Sequence, residues 1–300
     1  MSEPAGSTEI LGNRGIWLIL VAAILWGTTG TAQALAPAGS SPLAIGALRL
    51  ALGGSALALS AWLRGGLRQR SWPPLLTIAA GAFVALYQVT FFSAVLKTGV
   101  AVGTIVGIGS APVFAGILEY LVRQRRPGRR WYFSTAVAVF GCLLLVLQAG
   151  DIRIDVVGII LALTAGFSYA AYALAIKLLL PGRSPEDVTA VIFCLGAIFL
   201  SPLLLMADLS WLRQINGWLL MLHLGLVATA LSYWFFASGL KTVAASTAVT
   251  LSLAEPLTAA ILGIVVVGER INVVSSLGLV LILSALVLLI VPDRAEGRRR

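Results

Sequence analysis

Apolar runs of 18 or more residues recur along this 300-residue chain. Because the hydrocarbon core of a bilayer is about 30 Å thick, a helix needs about 20 apolar residues to cross it. The chain is 59% hydrophobic and 11% charged, whereas soluble domains are about 45–50% apolar and about 25% charged. This composition excludes a soluble globular protein and predicts an all-α integral membrane protein. We predict ten transmembrane helices, which cover residues 16–35, 42–63, 74–96, 100–122, 131–148, 156–178, 187–207, 217–239, 243–267 and 272–292.

Lysine and arginine residues are distributed unevenly over the predicted loops. If the chain crosses the membrane ten times, sixteen of them fall on the side that holds both termini and four on the other side. Cytoplasmic loops carry the excess of Lys and Arg. We therefore predict a bacterial inner-membrane protein with both termini cytoplasmic and a basic cytoplasmic tail at 293–300. The five arginines of the segment Arg123–Arg130 are either part of this topology signal or a contact for anionic lipid head groups, and no nucleic-acid partner is expected.

The sequence contains an internal repeat. With an offset of 144 residues, Phe91–Leu118 aligns without a gap to 235–262 and is identical at ten of 28 positions, including Phe-Phe, Leu-Lys-Thr and one proline. The repeating unit comprises five predicted helices, which we assign to 15–148 and 155–292. Because five is odd, the second copy enters the membrane from the opposite side, and the two inverted five-helix repeats are related by a pseudo-two-fold axis in the membrane plane. Secondary transporters are commonly built in this way, with the substrate site near the midplane.

Short motifs add a resemblance to a known family. An Ala-x-x-x-Trp-Gly motif covers Ala22–Gly27, an arginine lies in the second predicted helix, and Glu255–Gly263 reads Glu-Pro-Leu-Thr-Ala-Ala-Ile-Leu-Gly, followed by Gly268-Glu269. Together with the ten helices and the repeat, these residues resemble the drug/metabolite transporter superfamily of the EamA type, over roughly residues 15–292. Among its branches, the chain looks most like the YddG-like amino-acid exporters.

Three ionisable residues are candidates for coupling or for binding a polar group. Glu255 lies near the centre of the ninth predicted helix, where a charged carboxylate costs about 2.5–3.5 kcal/mol on insertion scales. It either couples transport to protons, contacts a substrate ammonium, or is a structural carboxyl beside a broken helix. Arg49 lies about 10 Å below one surface at a rise of about 1.5 Å per residue, and it either snorkels outward or pairs with a carboxylate. His223 is either a titrating group or a packing histidine.

Two prolines and two glycines indicate where helices break or pack. Pro112 and Pro256 occupy equivalent positions in the two repeats, and each removes a backbone donor in mid-helix. They predict either broken helices at the centre of the pathway or kinks that serve packing alone. Gly103 and Gly107 stand four residues apart in the fourth predicted helix, which favours either close helix packing or a smooth wall where the carrier gates.

Aromatic and small polar residues deep in the predicted helices are candidates for lining a central cavity, because such side chains stack on a ligand or hydrogen-bond to it. Packing in the core or against lipid is the alternative for each. We expect the third, fourth, eighth and ninth predicted helices to form the walls, with the first and sixth contributing. The candidates are Trp26, Tyr87, Gln88, Thr104, Ser110, Tyr169, Tyr172, Tyr233, Trp234 and Thr250.

The sequence predicts a secondary transporter, and the resemblance implies export of amino acids or related small metabolites by alternating access. Multidrug or other metabolite efflux is one alternative, and a non-transporting membrane receptor or assembly protein on the same scaffold is another. The sequence contains no P-loop, no HExxH motif and no cluster of Cys and His residues, so we expect no enzyme, metal site or cofactor. The expected partners are a small-molecule substrate and the lipid bilayer, with a monomer as the default oligomeric state.

Overall fold

The computed structural model describes residues 5–67, 71–146, 155–268 and 272–291, which are helical without a β-strand. The helices are α1 (Ala5–Ala34), α2 (Pro42–Leu63), α3 (Pro74–Gly99), α4 (Val102–Arg123), α5 (Arg129–Val146), α6 (Val156–Leu179), α7 (Pro185–Leu205), α8 (Ile215–Leu240), α9 (Ala245–Val266) and α10 (Val273–Ile290). Within the described ranges, nine are long and apolar enough to cross a membrane, and α5 is the tenth helix. The predicted all-α membrane fold is confirmed, whereas the end of the fifth predicted helix beyond 146, Glu269 and the tail at 293–300 lie outside the described residues.

The third and fourth helices form one continuous run, Pro74–Arg123, which turns at Gly99. Gly99 has φ 83° and ψ 162°, a backbone conformation that is accessible to glycine because it lacks a Cβ. The very short connection between these helices therefore depends on this residue. Within this run Gly99 is the non-helical position, and α4 continues through Pro112 with helical backbone, so the helix break predicted at that proline is not found.

The helices pack in pairs that follow the predicted symmetry. α1 packs against α8 and α9, and its counterpart α6 packs against α3 and α4. The pairs α2–α7 and α5–α10 each consist of two equivalent helices, so the symmetry relates each pair to itself. The first helix of each repeat is thus embedded in the other repeat, which is the arrangement of two inverted five-helix repeats.

Glycines at the helix crossings show the same symmetry residue by residue. Gly53 of α2 lies against Gly225 of α8, and its equivalent Gly196 of α7 lies against Gly81 of α3, the equivalent of Gly225. A side chain at Gly53 would collide with the backbone of α8. Small residues allow this approach of two backbones, and close packing is a main source of helix association in lipid.

We expect Gly141→Ala to destabilise the protein. Gly141 of α5 faces Gly278 of α10 so closely that a Cβ would lie 2.8 Å from the Gly278 carbonyl oxygen. Overpacking of this kind costs about 1–3 kcal/mol, and each kcal/mol lowers Tm by about 2–4 °C in a chain of similar size. Gly109 is the matched control, because the atom nearest to its Cβ would be Val139 Cγ1 at 3.8 Å. Thermal unfolding of the purified variants checks this, and equal Tm values for Gly141→Ala and Gly109→Ala would contradict the contact.

Hydrogen bonds between helix ends place several basic residues on one face of the bundle. Arg64, which follows α2, forms a 2.8 Å ion pair with Glu186 at the start of α7. Lys177 near the end of α6 donates to the carbonyl oxygen of Leu240 at the end of α8. We call this the arginine-rich face; its basic residues include Arg64, Arg123, Arg125, Arg126, Arg129, Arg130, Lys177, Arg183 and Lys241.

Candidate functional site

A cavity of about 60 Å³ lies between the two repeats. Its walls come from six helices, α1, α2, α3, α6, α8 and α9. The lining residues are Trp26, Thr29, Gln33, Arg49, Tyr87, Gln88, Phe91, Phe92, Tyr169, Tyr172, Tyr233 and Glu255. Helix α4, which we predicted as a wall, contributes none of them, whereas α2 contributes Arg49.

Aromatic rings form most of the wall. Trp26 of α1 and Tyr169 of α6 are equivalent in the two repeats, and they meet edge to face with their ring centroids 6.4 Å apart. Tyr233 packs on Trp26 at 4.8 Å, and the Tyr233 and Tyr172 hydroxyl oxygens are 3.0 Å apart. Tyr87 completes the cluster, 5.9 Å from Tyr169. The faces of such rings attract cations and stack on apolar groups.

Arg49 is buried in this wall, with 8% of its surface exposed. Its Nη2 donates to Gln88 Oε1 at 3.1 Å, and the Gln88 amide donates in turn to the Gly46 carbonyl oxygen at 3.4 Å. Its Nε has no hydrogen-bond partner among the described residues. A buried charge is stable only when it is paired or solvated, so the remaining donors of Arg49 require an acceptor from outside the described residues.

Two more polar atoms of lining residues also lack a hydrogen-bond partner within the described ranges. Trp26 Nε1 and Thr29 Oγ1 are buried without a hydrogen-bond partner in the described part of the chain. An unsatisfied buried donor or acceptor costs about 1–3 kcal/mol. The two N–H groups of Trp26 and Arg49 call for an oxygen acceptor, such as a carboxylate, in the cavity.

Glu255 is the acidic residue of the lining. The ion pairs within 4.0 Å in the described ranges are Arg64–Glu186 and Arg123–Glu119, so Glu255 and Arg49 share the cavity without bonding to each other. Neither charge has a repeat counterpart, since Ala111 and Ile192 occupy the equivalent positions. The symmetric scaffold therefore surrounds an asymmetric pair of one basic and one acidic residue.

The backbone beside Glu255 is irregular. Helix α9 is interrupted at Ser252 and Leu253 and resumes at Ala254. Because Pro256 has no N–H to donate to the Ser252 carbonyl, that carbonyl accepts the Glu255 N–H instead, at 2.9 Å. The helix break predicted for the second repeat is thus found ahead of Pro256, at the depth of the cavity.

Comparison with known proteins assigns the family. The sequence profile of the EamA-like transporter family matches residues 13–147 and again 156–291. The chain belongs to this family. The transporter YwfM of Bacillus subtilis strain 168, described as uncharacterized, is 45% identical over 285 residues, which cover 95% of this chain and 96% of the relative. A probable terminal-alkyne amino-acid exporter of Streptantibioticus cattleyicolor is 24% identical over 292 residues, which cover 96% of each chain.

One solved crystal structure supports the same fold. It is 19% identical to this chain and superposes with a TM-score of 0.79 over 91% of this chain and 97% of that one. The resemblance predicted from the Trp-Gly and Glu-Pro motifs is confirmed by the family match. The protein is a multi-pass membrane transporter of the EamA-like family.

Four predicted cavity residues of this EamA-like transporter lie elsewhere. The Ser110 hydroxyl donates to a carbonyl of its own helix at 3.2 Å, and the Thr250 and Thr135 hydroxyl oxygens are 3.1 Å apart in a buried contact. Trp234 packs on a separate apolar cluster, and Thr104 is half-buried outside the lining. Serine and threonine hydroxyl groups within helices can bond to backbone carbonyls of the same helix, as those of Ser110 and Thr250 do.

Three other candidates pack helices together. His223 Nε2 lies 2.8 Å from Thr28 Oγ1 and so joins α8 to α1. Gly103 lies against the Val95 backbone of α3, and Gly107 lies against α6. The packing interpretation fits the positions of all three, and none of them lines the cavity.

Four lining residues were not predicted from the sequence, namely Thr29, Gln33, Phe91 and Phe92. The Phe-Phe pair recurs in the second repeat, and this recurrence could have identified the pair as a candidate for the lining. Thr29 and Gln33 continue the Trp26 side of α1 at helical spacing. They carry the lining toward the end of α1, away from the arginine-rich face.

A buried carboxylate connects α4 to α9 at the arginine-rich face. Glu119 is 2% exposed, and its Oε2 accepts the N–H of Ser246 at the start of α9 at 2.9 Å. The Arg123 guanidinium lies 3.6 Å from the other oxygen. A carboxylate at the N-terminus of a helix forms a charge-assisted bond and complements the helix dipole.

A lysine connects α6 to the α8–α9 turn at the same face. Lys177 Nζ donates to the carbonyl oxygens of Leu240 and Val243, each at 2.6 Å. We call the bonds of Glu119 and Lys177 the latch. Their repeat equivalents are Gly263, at an offset of 144 residues, and Ala34, at an offset of 143 residues. Neither side chain has a donor or acceptor, so the latch has no counterpart at these positions of the opposite face.

Proposed function

We propose that this transporter carries zwitterionic small molecules, amino acids above all, by alternating access through the central cavity. The observation that carries the proposal is the environment of Arg49. This residue is buried, lines the same cavity as Glu255, and forms no ion pair with an acidic residue among the described residues. A substrate carboxylate would accept bonds from Arg49 Nε and Trp26 Nε1. A substrate ammonium would face Glu255 and the tyrosine rings, which attract cations.

The arrangement favours this substrate class over the other candidates. An apolar cation of the multidrug type would leave the Arg49 charge without an acceptor. A non-transporting scaffold has no use for an arginine and a glutamate at membrane depth, where a charged side chain costs several kcal/mol. The name of the Streptantibioticus relative, a probable exporter of a terminal-alkyne amino acid, agrees with an amino-acid substrate.

We propose that the arginine-rich face is cytoplasmic, because cytoplasmic loops carry the excess of Lys and Arg. The bacterial relatives support an inner membrane. The latch then closes the cytoplasmic side, and the lining extends to Gln33 toward the outer side. If each repeat adopted the conformation that the other has now, the latch would break and the cavity would open to the cytoplasmic side.

Counterflow in proteoliposomes tests the proposal. Vesicles loaded with one amino acid of a panel (aromatic, aliphatic, acidic or basic) are diluted into the same labelled compound, with and without a pH gradient. We expect transient accumulation of at least one zwitterionic amino acid. If apolar cations accumulate and no amino acid does, the transporter is a multidrug carrier and the proposed substrate class is wrong.

We expect Glu255→Gln to abolish stimulation of transport by a pH gradient. The neutral amide keeps the size of the side chain but cannot bind and release a proton. Wild-type counterflow should rise under the gradient, whereas the variant should exchange substrate at the same rate with and without it. Glu186→Gln is the control, because Glu186 lies at the arginine-rich face and pairs with the exposed Arg64. Gradient stimulation that survives in Glu255→Gln would assign the coupling to another group.

A further inference from the structure

A second cavity, of about 680 Å³, lies between α4 and α5 and is lined mostly by apolar side chains. The two helices are connected by a short turn, yet α5 packs mainly against α10, which leaves a groove beside α4. Val113 of α4 and Phe140 of α5 line it and are 51% and 52% exposed. This groove is outside the transport cavity and shares no residue with its lining.

The groove has the length of one membrane leaflet. Its lining runs over Ile105–Tyr120 on α4 and Trp131–Leu143 on α5. At a rise of about 1.5 Å per residue these stretches are roughly 18–22 Å long, whereas a membrane-crossing helix needs about 30 Å of apolar surface. The groove is therefore too short for a transmembrane helix of a partner and fits an acyl chain.

The end of the groove at the arginine-rich face is strongly positive. Arg126 lines it; its Nη2 donates to the Tyr120 hydroxyl at 3.2 Å, and its guanidinium lies 5.0 Å above the Tyr120 ring. These contacts fix the side chain and leave its other N–H groups for a ligand. Arg125, Arg129 and Arg130 surround the same turn.

An unsatisfied donor lies at the same end. Trp131 is 7% exposed and lines the groove, and its Nε1 has no hydrogen-bond partner among the described residues. Its ring rests on Gly116, where a larger residue would displace it. Trp131 and Arg126 thus line this groove together.

We propose that this groove binds one anionic diacyl phospholipid of the cytoplasmic leaflet, with its phosphate at Arg126 and an acyl chain along Val113 and Ala136. The leaflet follows from the proposed orientation, whereas the binding does not depend on the transported substrate. A zwitterionic phospholipid fits less well, because its ammonium group would be repelled by the cluster of arginines. Basic side chains near the membrane surface attract anionic lipids specifically through this charge.

Native mass spectrometry of the protein in mild detergent tests the proposal, with added phosphatidylglycerol or phosphatidylcholine. We expect the wild type to bind one phosphatidylglycerol in preference to phosphatidylcholine. Arg126→Ala should weaken this binding about five-fold. Ala136→Trp should abolish it, because Ala136 is an exposed lining residue and the indole would occupy the path of the chain.

Two matched variants serve as controls. Arg14→Ala removes an exposed arginine outside the groove, and Ile160→Trp adds an indole at a 57% exposed position of α6. Both should bind phosphatidylglycerol like the wild type. Equal binding of the two lipids by the wild type, or unchanged binding in Arg126→Ala and Ala136→Trp, would overturn the proposal.

Discussion

Replacing Arg49 with alanine is expected to abolish counterflow of zwitterionic substrates. Arg49 is the cation of the cavity lining, so its loss leaves the substrate carboxylate buried without a counter-charge. Truncating one partner of a buried, hydrogen-bonded charge pair costs about 2–5 kcal/mol, which corresponds to a roughly 30- to 5,000-fold loss of affinity. Arg49→Lys keeps the charge but loses the Nε donor and the planar fork, and we expect an intermediate loss. Isothermal titration calorimetry with the best substrate of the panel measures both.

The stability of the Arg49→Ala variant separates binding from folding. In the absence of substrate, Arg49 is a buried charge that a single glutamine partly satisfies, and an unpaired buried charge destabilises the folded state. We therefore expect a Tm equal to or above that of the wild type, together with lost binding. Arg213→Ala is the control for surface charge, because Arg213 is exposed. A sharply lowered Tm, or unchanged substrate affinity in Arg49→Ala, would make Arg49 a structural residue.

Glu119→Ala is expected to open the arginine-rich face. The substitution removes the carboxylate that holds the α9 N-terminus, and a hydrogen bond to a charged group contributes about 1.5–3 kcal/mol. The open population should rise by roughly 10- to 100-fold, since about 1.4 kcal/mol corresponds to a factor of ten. The reporter is Ser246→Cys, introduced into a protein in which Cys142 and Cys194 have been replaced. Ser246 is 2% exposed in the latched state. Labelling by a membrane-impermeant thiol reagent should be faster by that factor.

Glu186→Ala is the matched control for the latch. Glu186 forms an ion pair at the same face, but its partner Arg64 has a side chain that is 67% exposed. Exposed pairs contribute about 0–1 kcal/mol, so the labelling rate of the reporter should change little. Equal acceleration in Glu119→Ala and Glu186→Ala would show that the latch has no special part in closing this face.

The symmetric part of this fold could be predicted from sequence because the repeat was preserved at positions where helices touch. An offset of 143 residues aligns Gly15 with Gly158, and the offset of 144 aligns their contacts, since Gly15 lies against Thr242 and Gly158 against Thr98. Trp26 was aligned with Tyr169 in the same way, and the two rings meet in the cavity. The odd number of helices in the repeat thus determines the inverted topology, and the repeated residues indicate which helices are neighbours.

The latch and the other polar contacts outside the repeat could not be predicted, because they depend on contacts between distant helices. Glu119 is one carboxylate on an apolar helix, and nothing in its surroundings along the chain indicates that it reaches Ser246. Ser110 and Thr250 are chemically suited to a cavity, but their hydroxyl groups are satisfied by their own helix and by Thr135. Pro112 and Pro256 are equivalent in sequence, yet α9 is interrupted and α4 is not.

The most direct test of the zwitterion site removes one charge of the substrate at a time. Calorimetric titration of the wild type would compare the best amino acid of the panel with its N-acetyl derivative and its methyl ester, which lack the ammonium and the carboxylate respectively. If Arg49 and Glu255 bind the two charged groups, each derivative should bind at least about ten-fold more weakly, at about 1.4 kcal/mol per factor of ten. Binding of the methyl ester as tight as that of the parent amino acid would contradict the role of Arg49 and the proposed substrate class.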